Sequence, residues 1–435
     1  MTYETALREE TRQRMEKIRT ADILVGIPSY NNAQTIGHVV RAAAQGMVEY
    51  FPAMRPVLLN ADGGSSDGTC QVVLNTPVPP GVEVIATEYQ GIPGKGSAFR
   101  TIFEAAKALG VKVCVVVDSD LRSIAPWWIE RLAGPVVKEG YGYVTPYYMR
   151  HKYDGTITNN ICYPMTRMLY GVDVRQPIGG DFGFSAVLLD HYLGQDVWET
   201  DVARYGIDIW MTTTAINAGV KICQARLGAK IHDVKDPAAA LGPMFVQVVG
   251  TLFSMMARYE DRWKTVMGSQ PAPLYGPEVD QEPEPVAVTL KLMIDKLRVG
   301  VKEQAKLWQR ILTPQNLEAV HEVASLPYDD YTFPAELWAR IAFDFAVAYN
   351  KSGLNPEQVI MGMTPLYYGR TAGLVVQSQE MSSAEFEEQV IQTQARVFEE
   401  LKPQLIEKWD TTPPHACLQT GECVTLQGGF EHSPG

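Results

Sequence analysis

The sequence predicts an α/β protein, with a mostly parallel open sheet followed by a helical C-terminal region. Three observations carry this. β-rich runs that end in turn residues alternate with helical stretches about every 30 residues through roughly the first 125 positions, the pattern of βαβ units. The apolar run VKVCVVVDSD (111–120) is nearly continuous instead of alternating, which suits a parallel strand covered on both faces. From residue 286 onward the chain is mostly helical in pattern.

The elements follow in order. The leader MTYETALREETRQRMEKIRT is charged and reads as a helix. ADILVGIPSY is the first strand, ending at Pro28 and turn formers, and 35–45 is a helix. RPVLLNADGG is the second strand and stops at Gly63 and Gly64, where Ser65, Ser66 and Asp67 can cap a helix over 68–74. A third strand over 82–87, a turn and helix over 94–108, and the strand 111–120 complete the first set. The middle is mixed: helix 127–138, strand 141–148, helix 156–169, loop 175–183, helix 201–217 closed by Gly219, strand 221–227 and a long apolar helix 238–264. SQPAPLYGPEVDQEPEP, rich in Pro and acid, reads as a linker or surface wrap. Helices are then expected over 288–311, from Pro314, over 334–349 and over 383–408.

A single core stops growing at roughly 250–300 residues, so 435 residues imply two domains or one with a large appendage. The expected division is an N-terminal helix (1–20), the α/β domain (21–268), a linker (269–287), a helical domain (288–410) and a loose tail (411–435). With 38 Lys+Arg against 50 Asp+Glu and a formal net charge of -12, no basic stripe is available for a nucleic-acid track. The six cysteines form no CxxC pair, so neither a disulfide scaffold nor a structural zinc site is expected. The leader lacks the apolar core of a signal peptide. The least polar window, 238–257, contains Pro243, Gln247 and Ser254 and reads as a buried helix instead of a membrane span, so a cytoplasmic location is expected.

Chemistry-bearing residues cluster at the strand ends. Asp118 and Asp120 stand two residues apart after the most strand-like run, where open α/β sheets bind their ligands. Both can approach one divalent cation, or one can take the metal while the other takes a sugar hydroxyl. Asp62 closes the second strand beside a glycine pair, and can accept hydrogen bonds from a base or ribose or form the turn. Lys95 lies in the glycine-rich turn Gly91–Gly96 ahead of a helix, a place for phosphate, although the GxxxxGK[ST] spacing fails. His232 follows the strand 221–227 together with Arg226, Lys230 and Asp233, in a polar loop where it can serve as a metal ligand. Gly179 and Gly180 offer bare backbone to a substrate, and Asp208 opens a helix or caps it. Arg150 can pair with a small carboxylate. No GxSxG, HExxH, HxE…CxxC or GxGxxG is present, which removes most support for hydrolases, zinc peptidases, deaminases and dinucleotide oxidoreductases.

VGIPSYNNAQTI, NADGGSSDGT, GIPGKGSA and VVVDSDL, in that order and spacing, resemble the N-terminal half of a family-2-like nucleotide-sugar glycosyltransferase with the GT-A fold, a Rossmann-like, mostly parallel open sheet. RQPIGGDF, YGIDIWMTTTAINAG and KIHD resemble the retaining enzymes that make mannosylglycerate, glucosylglycerate or glucosyl-3-phosphoglycerate. The resemblance spans about 20–265 and extends less distinctively to the helical region. It implies transfer of a hexose from GDP-glucose, GDP-mannose or UDP-glucose to a small hydroxy acid such as D-glycerate. Pro28, Tyr30 and Asn31 would line the nucleotide pocket, with Asp62 near the base, Lys95 by the base or phosphates, and Asp118 on ribose or donor sugar. Asp120 and His232 would hold Mg²⁺ or Mn²⁺ with the diphosphate. Gly179 and Gly180 would lie along the acceptor, Arg150 and Thr158 would hold its carboxylate, Asp181 would face the donor sugar, and Asp208 would stand with it and Asp120 at the reaction centre. The chain departs from the pattern at Asp181 (Glu in the relatives), in the doubled Gly63-Gly64 and in the HKYDGT loop after Arg150.

No residue is an obvious nucleophile, so a front-face reaction fits, with a short-lived covalent adduct as the other route. Arg150, Lys152 and Arg175 are the candidate cations for an anionic acceptor, a modest set that favours an unphosphorylated acid over 3-phosphoglycerate. A pyrophosphorylase lacks its long glycine-rich N-terminal loop here. A non-catalytic relative acting through its helical half is the other alternative, and that half can also supply a homodimer interface or a lid. No partner nucleic acid or membrane is expected.

Overall fold

The computed structural model describes residues 4–232 and 241–414. Asp233, the start of the expected helix 238–264, and the tail from residue 415, with Cys417 and Cys423, lie outside the described residues.

Eight strands form one sheet in the order β10-β8-β5-β7-β4-β1-β2-β3. They are β1 Ile23–Ser29, β2 Pro56–Asp62, β3 Glu83–Glu88, β4 Val113–Val116, β5 Tyr143–Met149, β7 Phe182–Ser185, β8 Ile222–Ala229 and β10 Leu274–Tyr275. A second sheet pairs β6 Val172–Asp173 with β9 Gln270–Pro271. All neighbours in the large sheet are parallel except β7, which runs antiparallel to both β4 and β5. The continuous apolar runs have a direct cause. Ile23, Val25, Val113 and Val115 face one core under the helices Ile36–Tyr50 and Pro126–Glu139. Leu24, Cys114 and Val116 face another, beneath Lys95–Ala108 and Ile207–Asn217. Alternate residues point to opposite faces, and here both faces are dry.

The N-terminal helix Glu9–Ile18 lies along β3, with the Thr11 and Thr87 hydroxyls 2.6 Å apart and Arg14 on Glu83 at 2.6 Å. The stretch expected as a linker does more than connect: β10 pairs in parallel with β8 and becomes the sheet's edge. Two expected single helices are broken, 288–311 into Leu290–Glu303 and Ala305–Ile311, and 383–408 by a π turn at Glu387–Ile391. β6 and β9, β7, the helix Ala186–Leu193 and the helix Pro356–Gln377 have no counterpart in the sequence reading.

The largest core crosses the 269–287 stretch. Ile161, Met165, Phe245, Leu252 and Phe253 share it with Trp308, Trp338, Ile360, Tyr367 and Trp409. Polar contacts sew the same seam. Trp338 Nε1 donates to Asn160 O at 2.6 Å, and Lys402 Nζ donates to the carbonyls of Met168 and Val266 at 2.8 and 2.7 Å. Among the described residues no helix is long and apolar enough to cross a membrane.

At the sheet end away from the strands' carboxyl termini, Asp22 accepts from Arg55 Nε at 2.7 Å and pairs with Lys112 at 3.1 Å. The Arg55 hydrogen bonds hold its carboxyl well below the usual carboxylate range. A depressed carboxylate contributes stability above its unfolded pKa of about 3.9 that is lost as pH falls through the folded value. Asp22→Asn should therefore melt below the wild type at pH 7, with the gap closing between pH 4 and the acid limit. Equal gaps at pH 7 and pH 2 would refute this.

Candidate active site

The carboxyl ends of β1, β2, β4, β5 and β8 open on one rim of the sheet, and nearly all the expected site residues gather there. At the end of β2, Asp62 is 1% exposed, and its two oxygens accept from Ser29 Oγ (2.7 Å), Gly64 N (2.9 Å), Ser65 N (2.7 Å) and Ser65 Oγ (2.7 Å). Its carboxylate builds the turn and joins it to β1. Asn31, at a left-handed φ of 56°, donates its N–H to Ser65 Oγ at 2.7 Å and accepts from Ser66 N at 3.0 Å. Pro28 is buried inside β1 opposite Ala61, whereas Tyr30 is 65% exposed at the rim.

The centre is a buried ionic lattice. Asp118 receives Lys95 Nζ on Oδ1 at 2.9 Å and Lys230 Nζ on Oδ2 at 2.7 Å. Lys230 also reaches Asp181 Oδ2 at 3.0 Å and Gly179 O at 2.7 Å, while Lys95 lies 3.4 Å from Asp208 Oδ1. Asp181, fully buried, accepts in addition from Asp118 N at 2.8 Å and from the Tyr148 hydroxyl. Burial works against the charge of Asp118, and the two lysines outweigh it, holding the carboxyl below its ordinary range. Burial pushes Asp181 and Asp208 upward. Both ammonium groups are desolvated, yet Asp118 and its neighbours keep them above the usual lysine range. Gly180, at φ +85°, permits this packing, since a Cβ there would stand 2.0 Å from Asp118 Oδ2. Gly179 packs on Pro146 and lends its carbonyl to Lys230, so the glycine pair braces the lattice as well as offering bare backbone.

Beside it, Asp120 Oδ2 faces His232 Nδ1 at 3.9 Å, and His232 Nε2 faces Asp154 Oδ2 at 3.6 Å. The loops that carry them are tied by Arg122 N to Ile231 O at 2.8 Å and by Ile231 N to Ser123 Oγ at 3.0 Å. Among the described residues no group of three His, Cys, Asp or Glu side chains could hold a metal. Asp120 and His232, 3.9 Å apart, could together give a cation two protein ligands. Arg150 donates to Asp154 at 2.6 Å, its Nε is buried without a hydrogen bond, and both it and Thr158 border Gly155.

Two of the candidate acceptor cations are committed elsewhere. Arg175 forks onto Glu387 with two bonds of 2.8 Å, and Lys152 caps the carbonyls of Ser378, Gln379 and Met381 at 2.6–2.9 Å. Both fasten the C-terminal helices, which corrects their expected role at the acceptor. The sequence reading assigned no role to Lys230, Tyr148 or Asp154. The usable signal for the first two was position, since each stands at the end of a strand that opens on the rim.

Residues 24–189 match the family described as Glycosyl transferase family 2. The match runs from β1 into the helix Ala186–Leu193 and stops before Asp208, Lys230 and His232. Residues 24–189 of the α/β part are thus similar to a glycosyl transferase family 2 domain, and a helical region follows the α/β part. No curated protein matches the chain. Solved structures similar to it include glucosyl-3-phosphoglycerate synthase from Mycobacterium tuberculosis in complex with Mn²⁺, UDP-glucose and phosphoglyceric acid. That one is 22% identical, with a TM-score of 0.42, over 59% of this chain and 86% of that chain. The same enzyme with Mn²⁺, UDP and glucosyl-3-phosphoglycerate is 24% identical, with a TM-score of 0.42, over 58% and 86%. With Mg²⁺ and UDP it is 23% identical, with a TM-score of 0.42, over 56% and 82%.

Proposed function

We propose that the chain is a retaining, metal-dependent hexosyltransferase that moves a hexose from a nucleotide diphosphate sugar to a small hydroxy acid such as D-glycerate. The observation that carries this is the placing of Lys95, Asp118, Lys230 and Asp181 in one ionic lattice beside Asp120 and His232, on the rim of a domain similar to glycosyl transferase family 2. Asp120 and His232 would hold Mg²⁺ or Mn²⁺, which supplies charge neutralisation for the leaving diphosphate when bound. Lys95, already fixed by Asp118 and Asp208, adds a second positive charge without reorganising. Tyr30 and Asn31 line the nucleotide side, with Asp62 and Pro28 shaping the wall behind them. Arg150 and Thr158 hold the acceptor carboxylate beside Gly179 and Gly180.

The two carboxylates of the reaction centre differ in freedom. Both Asp181 oxygens are hydrogen-bonded, whereas Asp208 Oδ1 makes no hydrogen bond among the described residues and lies 3.4 Å from Lys95 Nζ. That favours Asp208 as the carboxylate that meets the donor sugar and Asp181 as the anchor of Lys230 and Tyr148. It also weighs against attack by Asp181 and for the front-face route. With Lys152 and Arg175 committed to the C-terminal segment, Arg150 is left to pair with the acceptor, which favours an unphosphorylated acid over 3-phosphoglycerate.

The test offers UDP-glucose, GDP-glucose and GDP-mannose against D-glycerate, 3-phosphoglycerate and glycolate with Mg²⁺ or Mn²⁺. It scores nucleoside diphosphate release and the anomeric configuration of the product. One pair should give a retained α-glycoside, and Asp120→Ala should lower its turnover by about 10³-fold, the several kcal/mol that a catalytic cation supplies. If no pair reacts while the diphosphate still binds with metal, the small hydroxy acid acceptor is wrong.

A further inference from the structure

We infer that Asp154 is a positioning residue that aims both His232 at the cation and Arg150 at the acceptor; the inference rests on the functional reading above. Asp154 lies in the 151–156 loop where the chain departs from its relatives, and neither the lattice nor the family match assigns it a role.

Its carboxylate is fixed from several sides. Oδ1 accepts from Gly155 N at 2.7 Å, the backbone N–H donates to His151 O at 2.8 Å, and the carbonyl accepts from Asn159 Nδ2 at 3.2 Å. Oδ2 is therefore a stationary anion, and two functional side chains face it: Arg150 Nη1 at 2.6 Å and His232 Nε2 at 3.6 Å. His232 Nε2 is buried and makes no hydrogen bond, so a ring shift of roughly 0.6 Å would bring it to the usual N–H···O distance. An imidazole whose Nε2–H points at a carboxylate carries its lone pair on Nδ1, the nitrogen that faces Asp120. A carboxylate behind a ligating histidine fixes the tautomer and makes the ring a better donor.

The same oxygen sets Arg150. With Nη1 on Asp154 and the guanidinium 5.3 Å from the Tyr148 ring centroid, the head group is held on one edge and one face, and its Nε makes no hydrogen bond among the described residues. Loss of Asp154 should thus be felt in two places at once, the cation and the acceptor, and spare the nucleotide.

The experiment uses the full chain and Asp154→Asn and Asp154→Ala. Mn²⁺ is titrated by the electron paramagnetic resonance signal of the free ion, with saturating UDP or GDP and no turnover. Nucleotide binding in EDTA and thermal unfolding are followed in parallel. Expected is a weakening of Mn²⁺ binding of about tenfold for the Asn variant and up to about 100-fold for Ala, with metal-free nucleotide binding unchanged. For the acceptor that turns over, its KM should rise while the donor KM at saturating Mn²⁺ stays put. Unchanged Mn²⁺ affinity in the isosteric Asn variant overturns the inference, and so does a uniform loss of stability and nucleotide binding, which marks a structural role alone. A wild type that binds no Mn²⁺ with either nucleotide sinks the functional reading instead, so the two failures are distinct.

Discussion

Lys230→Met is expected to destabilise the protein by about 3–5 kcal/mol and to abolish sugar transfer, because it removes one partner from a buried ion cluster. The ammonium is 3% exposed and makes three contacts at 2.7–3.0 Å, to Asp118, Asp181 and the Gly179 carbonyl. Methionine fills similar space but leaves two carboxylates facing one another. Asp118 keeps Lys95, while Asp181 keeps neutral donors only. Its carboxyl, already raised by burial, must rise further without the lysine beside it. A carboxyl whose folded pKa lies above its unfolded value takes up a proton on folding, so it stabilises at low pH and costs stability as pH rises through the folded value. The deficit of the variant relative to wild type should accordingly be larger at pH 7.5 than at pH 5. Urea unfolding at both pH values checks this. A deficit under about 1 kcal/mol, the scale of an exposed pair, or one indifferent to pH would refute the buried pairing of Lys230 with Asp181 as a source of stability.

How the site was legible follows from the same lattice. Asp118, Asp120 and Asp62 announce themselves because each follows an apolar run beside glycines or serines, and Lys95 because it stands in a glycine-rich turn ahead of a helix. Lys230 has no such marking. Its partner Asp118 lies 112 residues away in the chain and Asp181 49 away, so the pairing exists only once β4, β7 and β8 share a sheet. Arg175 misled for a related reason. As a cation near the candidate site it reads as one of three partners for an anionic acceptor, yet Glu387, far along the chain, already occupies its fork. Distant partners decide the role of a charged side chain, and a single sequence does not list them.

The fold shows a similar division. Parallel strands with two dry faces and their covering helices stand out as uninterrupted apolar runs and amphipathic stretches. β7 does not, being four residues, FGFS, too short for its alternation to stand out and with a glycine in the middle. That glycine is required by packing, since a Cβ at Gly183 would stand 1.9 Å from the carbonyl oxygen of Leu132. The helix Pro356–Gln377 escapes for a different reason. Buried residues occur all around it, from Val359 through Tyr367 and Arg370 to Val375, so it has no polar stripe, and Pro365 interrupts its pattern. A helix clothed on every side by others loses the periodicity by which helices are found.

That burial leads to the other large expected effect. A fragment ending at residue 287 should not fold to a soluble, cooperative unit, although it contains every proposed catalytic residue. The helix Gly242–Arg258 is packed between the two halves. Phe245 stacks on Tyr367 with centroids 4.4 Å apart, Phe253 meets Tyr349 at 5.9 Å, and Trp263 meets Trp409 at 5.3 Å. Truncation strips these partners and bares Val249, Leu252 and Met256 of the same cluster. Each large side chain returned to water costs about 1.5–3 kcal/mol, and six of them, about 9–18 kcal/mol, are of the same size as the 5–15 kcal/mol by which folded domains are stable. The truncation also leaves Arg167 and Arg175 without their carboxylates on Glu399 and Glu387, and the carbonyls of Met168 and Val266 without Lys402. The fragment should elute as aggregate or bind a hydrophobic dye, with no sharp thermal transition. A monodisperse fragment that melts cooperatively and binds nucleotide would show instead that the α/β part is self-sufficient and that the helical half is an addition to it.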